Sequence, residues 1–392
     1  MQSPFTFFRG SAAVMAADLA HTPTSGIRVQ CCGDCHVLNF GAFGSAERRV
    51  VFDINDFDET LPAPWEWDVK RLAASFVLAC RSNKLRGKDT RQVVSELAST
   101  YRTQMGEFAR MSVLDGWYAN LDLEKLVDEM KDRNWVEQAK ARVKKAQQES
   151  AEHIFPAMTT LSGGRIAIKD QPPLIYHFRD HADKKHEKAA RQGFATYRRS
   201  LPEDRRILFD RFKFVDLAIK AVEIGSVGTT CAVALFMAYD YDPLFLQVKE
   251  ANASVLEPYA GKSRYGHHGQ RVVMGQRLMQ AAGDIFLGWG TTTVRNLQCY
   301  VRQLRDWKVK PLIETFDLER FLTYARVTGW TLARAHARSG KAAEIRGYLG
   351  KKEIFDDALV KFATSYTDQV ERDHDTFLKA IRSGRITATP QE

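Results

Sequence analysis

Residues 30–60, QCCGDCHVLNFGAFGSAERRVVFDINDFDET, place many polar side chains in an apolar setting. Asp34 and Asn39 fall within one tight loop, and Asp53, Asp56 and Asp58 come at or after the end of a strand-like run. Carboxylates are costly to bury unless they bind a cation or accept strong hydrogen bonds. Several carboxylates with one asparagine favour a hard cation such as Mg²⁺, which takes oxygen ligands and commonly bridges to phosphate.

The spacing of these residues suggests a particular chemistry. Residues 32–39, CGDCHVLN, resemble the H-G-D-x-H-x-x-N catalytic loop of aminoglycoside and choline kinase-like phosphotransferases, with Cys32 in place of the first histidine. Asp56-Phe57-Asp58 resembles the metal-binding element that follows this loop. Asp68, before Arg71-Leu72-Ala73, resembles the helix start that comes next.

This resemblance implies a role for each polar residue of the stretch. Asp34 would be the catalytic residue, which orients and deprotonates the hydroxyl group of an acceptor. Asn39 and Asp56 would hold Mg²⁺, and Asp53 and Asp58 are rival or second metal ligands.

Two other interpretations of the loop have to be considered. A Gly-Asp pair such as Gly33-Asp34 is often an ordinary turn, in which the aspartate bonds to its own backbone. The group Cys31, Cys32, Cys35 and His36 also suggests zinc. Because no second Cys/His pair lies at ligand spacing, the sequence does not favour a structural zinc site.

Composition indicates a globular protein with an anionic partner. The chain has 392 residues, of which 44% are hydrophobic and 27% are charged, and its net charge is +9. The charge suits a nucleotide, nucleic acid or membrane surface without choosing among them. Six scattered cysteines favour a reducing compartment. Since we find neither a signal peptide nor a convincing membrane span, we expect a soluble cytoplasmic protein.

Long helical stretches dominate the first half of the chain. Residues 88–155 and 184–206 are helical by pattern and rich in charge, and residues 159–164 are predicted to form a loop. The basic run 140–145, KARVKK, could contact nucleic acid, but a solvated helix face is the preferred interpretation. We therefore expect these helices to build a large, mostly α-helical lobe.

The composition changes near residue 212. Residues 214–222, 230–239 and 243–248 are β-branched and aromatic runs, which predict an antiparallel sheet that residues 286–289 and 298–304 complete. Between the first two runs lies IGSVGT, in which Gly225, Ser226 and Gly228 let backbone N–H groups approach a phosphate. An ordinary hairpin turn is the alternative for these glycines.

Lys249 interrupts the third apolar run, and a lysine there is costly unless it is paired. The order of strand, glycine turn, two strands and lysine resembles the small lobe of kinases, where the lysine and the glycine-rich loop hold nucleotide phosphates. Kinases pair this lysine with a helix glutamate. The next helix, predicted over 270–282, contains none, so Glu250 and Glu257 are the candidate partners.

Two later segments extend the comparison with kinases. Residues 304–307 would form the hinge against which adenine stacks. Residues 329–337, GWTLARAHA, resemble the helix that follows the hinge in aminoglycoside phosphotransferases, and we interpret His336 as a packing residue of that helix.

The order of these motifs is reversed relative to ordinary kinases. Only about thirty residues precede the catalytic loop, which is too few for a small lobe. We therefore expect an α+β, protein kinase-like two-lobe fold in circularly permuted order. Residues 1–211 would carry the catalytic loop and the helical part of the large lobe. Residues 212–310 would form the small β lobe, and residues 311–392 would complete the large lobe.

Short motifs along nearly the whole chain point to one family. They are Ser3-Pro4-Phe5, Phe8-Arg9-Gly10, Gly33-Asp34 with Asn39-Phe40-Gly41, Phe52-Asp53 with residues 55–60, Trp67-Asp68 with Arg71-Leu72-Ala73, residues 225–228, residues 247–251 and residues 269–273. Together they resemble the domain of unknown function 2252 family of bacteria. That name implies no activity, but the family's implied kinship to protein kinase-like folds agrees with the motif interpretation.

The sequence thus predicts an ATP- and Mg²⁺-dependent phosphotransferase with a nucleotide as partner and an unknown acceptor. Asp34, Asn39, Asp53, Asp56 and Asp58 would be its catalytic and metal residues, and Lys249 would bind phosphate with the amides of residues 225–228. The alternatives are a non-catalytic nucleotide-binding protein or scaffold on the same fold, and an enzyme that transfers AMP. A nucleic-acid-binding protein is a third and less favoured class.

Overall fold

The structure is a computed structural model, and it describes residues 3–128, 132–148, 151–162, 164–177, 183–221, 229–239, 242–292, 296–304 and 307–387. Within these ranges the chain is a mixed α+β protein with several antiparallel sheets, which confirms the predicted class at this level. None of the helices in the described ranges is both long and apolar enough to span a membrane.

The N-terminal part surrounds the acidic stretch with short elements. Its helices are α1 (Pro4–Arg9) and α2 (Ala12–Ala20). Its strands are β1 (Arg28–Cys31), β2 (Phe40–Gly44), β3 (Val50–Ile54) and β4 (Leu61–Pro64). Strand β1 pairs with β4, and β2 pairs with β3 as an antiparallel hairpin. The segment between β1 and β4 therefore begins and ends at two paired strands, and it contains the β2–β3 hairpin.

Helices follow up to residue 158, as the charge-rich pattern predicts. They are α3 (Trp65–Ser82), α4 (Gly87–Phe108), α5 (Val113–Tyr118), α6 (Leu123–Asp128), α7 (Arg133–Gln148) and α8 (Ala151–Met158). The two-residue strand β5 (Leu121–Asp122) adds to the edge of β3. The loop predicted at 159–164 is wrong in part, because β6 (Thr159–Ser162) pairs there with β7 (Arg165–Ile168).

A six-stranded antiparallel sheet forms the centre of the second half of the described chain. Its first strand along the chain is the short strand β8 (Ile175–Tyr176), which is followed by helices α9 (Asp183–Ser200) and α10 (Glu203–Phe209). Its other strands are β9 (Lys213–Lys220), β10 (Cys231–Met237), β11 (Pro243–Glu250), β12 (Gly288–Thr291) and β13 (Gln298–Gln303). The spatial order is β12-β13-β11-β10-β9-β8, which confirms the predicted antiparallel runs.

Side chains alternate between the two faces of this sheet because successive strand residues point to opposite sides. Leu244 and Leu246 of β11 pack with α9 and α10 in one apolar cluster. Phe245 packs on the opposite face with Ile154 of α8. Lys249 follows the alternation of Phe245, so it lies on the face away from α9.

The remaining helices return to the N-terminal part. They are α11 (Glu257–Ala260), α12 (His268–Met279), α13 (Leu318–Ser339), α14 (Ala342–Leu349) and α15 (Ile354–Arg382). The largest apolar cluster combines α3 and α4 with α13 and α15, and it also includes residues of β1, β3 and α12. The two ends of the chain therefore share one core.

A close glycine contact sets the position of α12 against the acidic stretch. A Cβ atom at Gly275 would lie 2.4 Å from Cγ2 and 2.5 Å from Oγ1 of Thr60. Thr60 cannot easily move, because its hydroxyl donates to the Cys31 carbonyl at 2.6 Å and accepts from Gln30 at 2.8 Å. Helix α12 can pack here only with glycine at this position.

We predict that Gly275→Ala lowers the free energy of unfolding by about 1–3 kcal/mol, because the added methyl group overpacks a rigid contact. Gly347→Ala in α14 is the matched control, since no described atom lies within 4 Å of its added Cβ. That control should be neutral or stabilising by up to about 1 kcal/mol, from helix propensity alone. Denaturant unfolding of both variants measures the difference, and equal stabilities would contradict the packing argument.

Candidate functional site

The predicted catalytic loop connects β1 to β2 through a short 3₁₀ turn, Val37–Asn39. Gly33 has φ of 86°, and a Cβ there would lie 2.4 Å from the carbonyl oxygen of Glu59, so glycine is needed for this approach. The Asn39 side chain donates to the carbonyl of Asp34 at 2.7 Å, and the Asn39 carbonyl accepts from the amide of Asn55 at 2.8 Å. The loop and the segment that carries Asp56 are therefore joined through Asn39.

Asp34 is held by a buried arginine. Arg71 of α3 donates to Oδ1 of Asp34 from Nε at 2.8 Å and approaches the same oxygen with Nη2 at 2.5 Å. The guanidinium also donates to the Phe8 carbonyl at 2.9 Å and lies over the Phe8 ring. Oδ2 of Asp34 faces His36 at 3.8 Å. One oxygen is thus fixed by Arg71, while the partly exposed carboxylate keeps a second oxygen for another partner.

His36 is neutral at physiological pH. Burial lowers its pKa to about 4, although Asp34 opposes this shift. Its Nδ1 accepts a hydrogen bond from the Leu38 amide at 3.3 Å, so the ring proton is assigned to Nε2, the nitrogen that faces Asp34. The ring of His36 therefore adds no positive charge beside Asp34.

Asp68 of α3 holds the backbone of the predicted catalytic loop in place. Its carboxylate accepts hydrogen bonds from the amides of Cys32 at 2.8 Å and Gly33 at 3.0 Å. Nε2 of His336 lies 3.3 Å from the same carboxylate, and Nδ1 of His336 lies 2.8 Å from the hydroxyl of Tyr101. All of these side chains are buried. His336 is a packing residue, as its position on a buried helix face predicts, and it also fixes the carboxylate that shapes the loop.

Asp53 lies in a different environment from the other candidate metal ligands. It forms a buried ion pair with Arg334 of α13. It also accepts hydrogen bonds from the amides of Ile54 at 2.8 Å and Ala281 at 2.9 Å. These contacts satisfy a buried carboxylate in the way that structural ion pairs require. Asp53 is therefore the least available of the predicted metal ligands.

Asp58 joins the acidic stretch to the large sheet. Oδ2 of Asp58 lies 2.6 Å from Nζ of Lys249, and Oδ1 accepts from the hydroxyl of Tyr300 at 2.5 Å. Burial acts to lower the pKa of Lys249, but Asp56 and Asp58 outweigh it and hold this pKa well above its usual value. The expected partners, Glu250 and Glu257, are wrong. Glu250 points to the opposite face of β11 and accepts from the Thr230 amide.

Asp56 is partly exposed, like Asp34 and Asp58. Its Oδ1 accepts from the Asp58 amide at 3.3 Å. Its negative charge acts to raise the pKa of Lys249 and of Arg302 of β13, which places Asp56 near the ion pair. The assignment of Asn39 and Asp56 as ligands of a divalent cation stays a prediction.

Arg271 of α12 is a residue that the sequence interpretation missed. Its guanidinium donates to the carbonyls of Thr60 at 2.7 Å, Asp58 at 2.8 Å and Asn252 at 2.8 Å. Kinases carry a glutamate on the helix in this position of the chain, and here an arginine holds the backbone of the acidic segment instead. The only available signal was its place in the motif 269–273, which carried no role.

Part of the predicted nucleotide site cannot be compared with the structure. Gly225, Ser226 and Gly228 lie outside the described residues, and so does the middle of the predicted hinge. At the ends of that hinge, Leu304 packs in the cluster of Phe245, and Trp307 packs beside Arg48 at the β2–β3 hairpin. The placement of adenine stays a prediction.

The cysteines of the loop form two buried groups with residues distant in sequence. Cys31 lies with Asp68 and His336, and Cys32 lies with Cys35 and Asp68, with candidate ligand atoms within 4.8 Å of one another in each group. Burial raises the pKa of all three thiols, to about 11 for Cys35. Asp68 already accepts hydrogen bonds from the amides of Cys32 and Gly33, so its carboxylate supports the backbone of the loop.

A cavity of about 680 Å³ lies away from this site. It is lined by residues of α9, β9, β10, β11 and β13, including Val248 and Val301. These two residues alternate with Lys249 and Arg302, so the cavity lies on the opposite face of the strands that carry those cations. The large sheet and the acidic segment meet instead at the ion pair between Lys249 and Asp58.

Glu59 gives the site a measurable pH dependence. Its Oε2 accepts from the Val255 amide at 2.7 Å, and burial raises its pKa from 4.5 to about 7. Because the folded state holds a proton that the unfolded state releases, the contribution of Glu59 to stability is complete below pH 4.5. It is lost as the pH rises to about 7.

We predict that Glu59→Gln removes this loss. Relative to the unsubstituted protein, the variant should gain about 1–2 kcal/mol in free energy of unfolding between about pH 5 and about pH 8. His36, whose lowered pKa acts in the opposite sense, cancels in the comparison. Glu47→Gln on the exposed β2–β3 turn is the control. Parallel pH profiles for Glu59→Gln and the unsubstituted protein would contradict the shift.

Comparison with known proteins identifies the family and goes no further. No curated protein matches the chain, and no solved structure does. A family model described as "uncharacterized protein conserved in bacteria (DUF2252)" matches residues 1–380. The match includes the acidic stretch, the large sheet and the helices that return to the first core. Because it covers nearly all of the sequence, the chain belongs to the DUF2252 family of bacterial proteins.

Proposed function

We propose that this protein is an ATP- and Mg²⁺-dependent phosphotransferase that acts on a hydroxyl acceptor, with a kinase-like two-lobe arrangement in permuted chain order. The main support is the ion pair between Asp58 and Lys249, with Nζ and Oδ2 separated by 2.6 Å. Two motifs 191 residues apart meet there, as nucleotide-dependent phosphoryl transfer requires of a metal-binding segment and a phosphate-binding lysine.

The roles of the residues follow from their environments. Asn39 and Asp56 would hold Mg²⁺, which would neutralise the negative charge that develops on the phosphate during transfer. Lys249 donates to the nucleotide phosphates while Asp58 and Tyr300 fix its position. Such catalysis depends mainly on positioning and electrostatics, so few residues suffice.

Asp34 would orient the acceptor hydroxyl and receive its proton. Arg71 occupies Oδ1 of Asp34, so the oxygen that faces His36 is the one that can accept the proton. The neutral imidazole of His36 lies 3.8 Å from that oxygen, beyond hydrogen-bond distance, so it leaves the oxygen available to the acceptor hydroxyl. The proton then passes to solvent, since the Asp34 side chain is partly exposed.

The second candidate function is nucleotide binding without catalysis. It is favoured by the contact between Arg71 and Asp34, because Arg71 already occupies one of the two carboxylate oxygens that a catalytic base would use. An AMP-transferring enzyme would use similar metal and phosphate ligands. The products separate these possibilities: ADP for phosphoryl transfer, pyrophosphate for AMP transfer, and neither for a binding protein.

We predict that Mg²⁺-ATP binds with a dissociation constant on the order of micromolar, and that Lys249→Ala and Asp56→Ala each weaken binding at least about tenfold. Isothermal titration calorimetry measures both effects. Lys262→Ala and Asp375→Ala, at exposed positions, are the charge-matched controls and should bind like the unsubstituted protein. Failure of the well-folded, unsubstituted protein to bind any nucleotide would rule out the proposed function.

We predict that Asp34→Asn lowers the rate of ADP release at least about 100-fold, as loss of a general base does, while Mg²⁺-ATP affinity changes less than about twofold. Asparagine keeps an oxygen for Arg71, so the buried guanidinium is not left alone. A coupled assay for ADP, run beside the calorimetry, measures both quantities. Unchanged ADP release would remove the catalytic role of Asp34, and lost affinity without a folding defect would assign it to binding.

A further inference from the structure

Two cations share the face of the large sheet that meets the acidic segment. Lys249 of β11 pairs in register with Tyr300 of β13, and Gln247 pairs with Arg302. Lys249 and Arg302 therefore flank the Tyr300 ring, with Nζ and Cζ at 5.5 Å and 5.9 Å from its centroid. Arg302 donates to Oε1 of Gln247 at 3.2 Å and to the carbonyl of Asn55 at 3.1 Å. Its guanidinium thus lies one residue from Asp56.

Lys308 is a third cation, and it lies on a segment outside the large sheet that contacts the β2–β3 hairpin. The next residue, Val309, exchanges two backbone hydrogen bonds with Ala42 of β2, at 2.8 Å and 2.9 Å. Beside it, a Cβ at Gly41 would lie 2.6 Å from the side chain of Asn55 and 2.8 Å from the Val309 carbonyl. The segment that contains Lys308 therefore lies along the β2–β3 hairpin and close to Asn55, the residue before Asp56.

The nearby carboxylates do not neutralise Lys308. Asp58 is bound by Lys249 and Tyr300. Asp284 accepts from the amides of Gln303 at 2.5 Å and Phe286 at 2.8 Å. Among the described residues, Lys308 has no carboxylate partner within ion-pair distance.

The surroundings of Lys308 disfavour its own positive charge. Loss of hydration, followed by repulsion from Arg302 and Lys249, lowers the pKa of Lys308 well below its usual value, and Asp284 opposes this shift without cancelling it. Because the Lys308 side chain is exposed, repulsion among the three cations matters more here than lost hydration. An anion bound between these cations would relieve the repulsion and would favour the charged form of Lys308.

We propose that Arg302 and Lys308, together with Lys249, form a binding site for a polyphosphate chain beside Asp56. This site rests on the proposed function, and it names the part of the nucleotide that the cleft recognises. A guanidinium binds two phosphate oxygens in one plane, and two ammonium groups at different angles bind the oxygens of neighbouring phosphates. Affinity therefore increases with the number of phosphates and depends little on the base.

The test compares ATP, AMP, adenosine and inorganic tripolyphosphate, each with Mg²⁺, by calorimetry on the whole protein. We expect tripolyphosphate to bind without a nucleoside, and Lys308→Ala to weaken ATP and tripolyphosphate about tenfold. AMP should lose less affinity, and any adenosine binding should not change. Lys262→Ala, an exposed lysine in another part of the chain, is the matched control.

Arg302→Gln is the second variant and should weaken tripolyphosphate by a similar factor. Because Arg302 also bonds to Gln247 and Asn55, circular dichroism must first show that this variant folds; Lys308→Ala alone decides the test if it does not. Unchanged affinities in Lys308→Ala would overturn the polyphosphate site, even if Lys249→Ala abolishes ADP release and the proposed function stands. Tripolyphosphate binding that depends on Lys308, without turnover of ATP, would support the site and disprove the phosphotransferase.

Discussion

The ion pair between Lys249 and Asp58 is the interaction on which the arrangement of this molecule depends. The Lys249 side chain is only 7% exposed, and a buried ammonium group without a partner would cost several kcal/mol. The partner comes from a segment 191 residues earlier, so any shift of the sheet against the acidic stretch that breaks the pair would leave the buried ammonium group without its counter-charge. Tyr300 satisfies the second oxygen of Asp58 and leaves no lone carboxylate oxygen at the contact.

The carboxylates of Asp53, Asp68 and Asp56 differ in burial, and this difference separates carboxylates that stabilise the fold from one that is available to a ligand. Asp53 and Asp68 are almost fully buried, and both are matched by residues of α13: Arg334 for the first and His336 for the second. These partners occupy the carboxylate oxygens that a metal ion would need as ligands. Asp56 lies at the open end of the hairpin and, within the described part of the chain, accepts a hydrogen bond only from the Asp58 amide, which leaves its carboxylate available for a cation.

Local sequence pattern predicted much of the fold but few of the contacts between residues that are distant in sequence. Alternating and β-branched runs were enough to find β9, β10 and β11, and spacing singled out Asp34, Asn39 and Asp56. Register decides the rest: Lys249 meets Tyr300 because β11 and β13 pair, and nothing near Lys249 in sequence indicates this. Arg334 and Asp53 are 281 residues apart, and such a pair has no signal in one sequence. The strands β6 and β7 were missed because Gly163-Gly164 indicated a loop.

The pairing of Lys249 prepares the site for an anion and does not block it. An ammonium group has three donors, and Asp58 receives one of them. The other two remain for oxygens that enter from the side of Arg302 and Lys308. Holding the ammonium between Asp58 and the Tyr300 ring reduces the rotamer entropy that binding would otherwise cost. In the proposed phosphate site, Asp58 would therefore hold Lys249 in place before the ligand binds, and the negative charge of the ligand would balance the charges of Arg302 and Lys308.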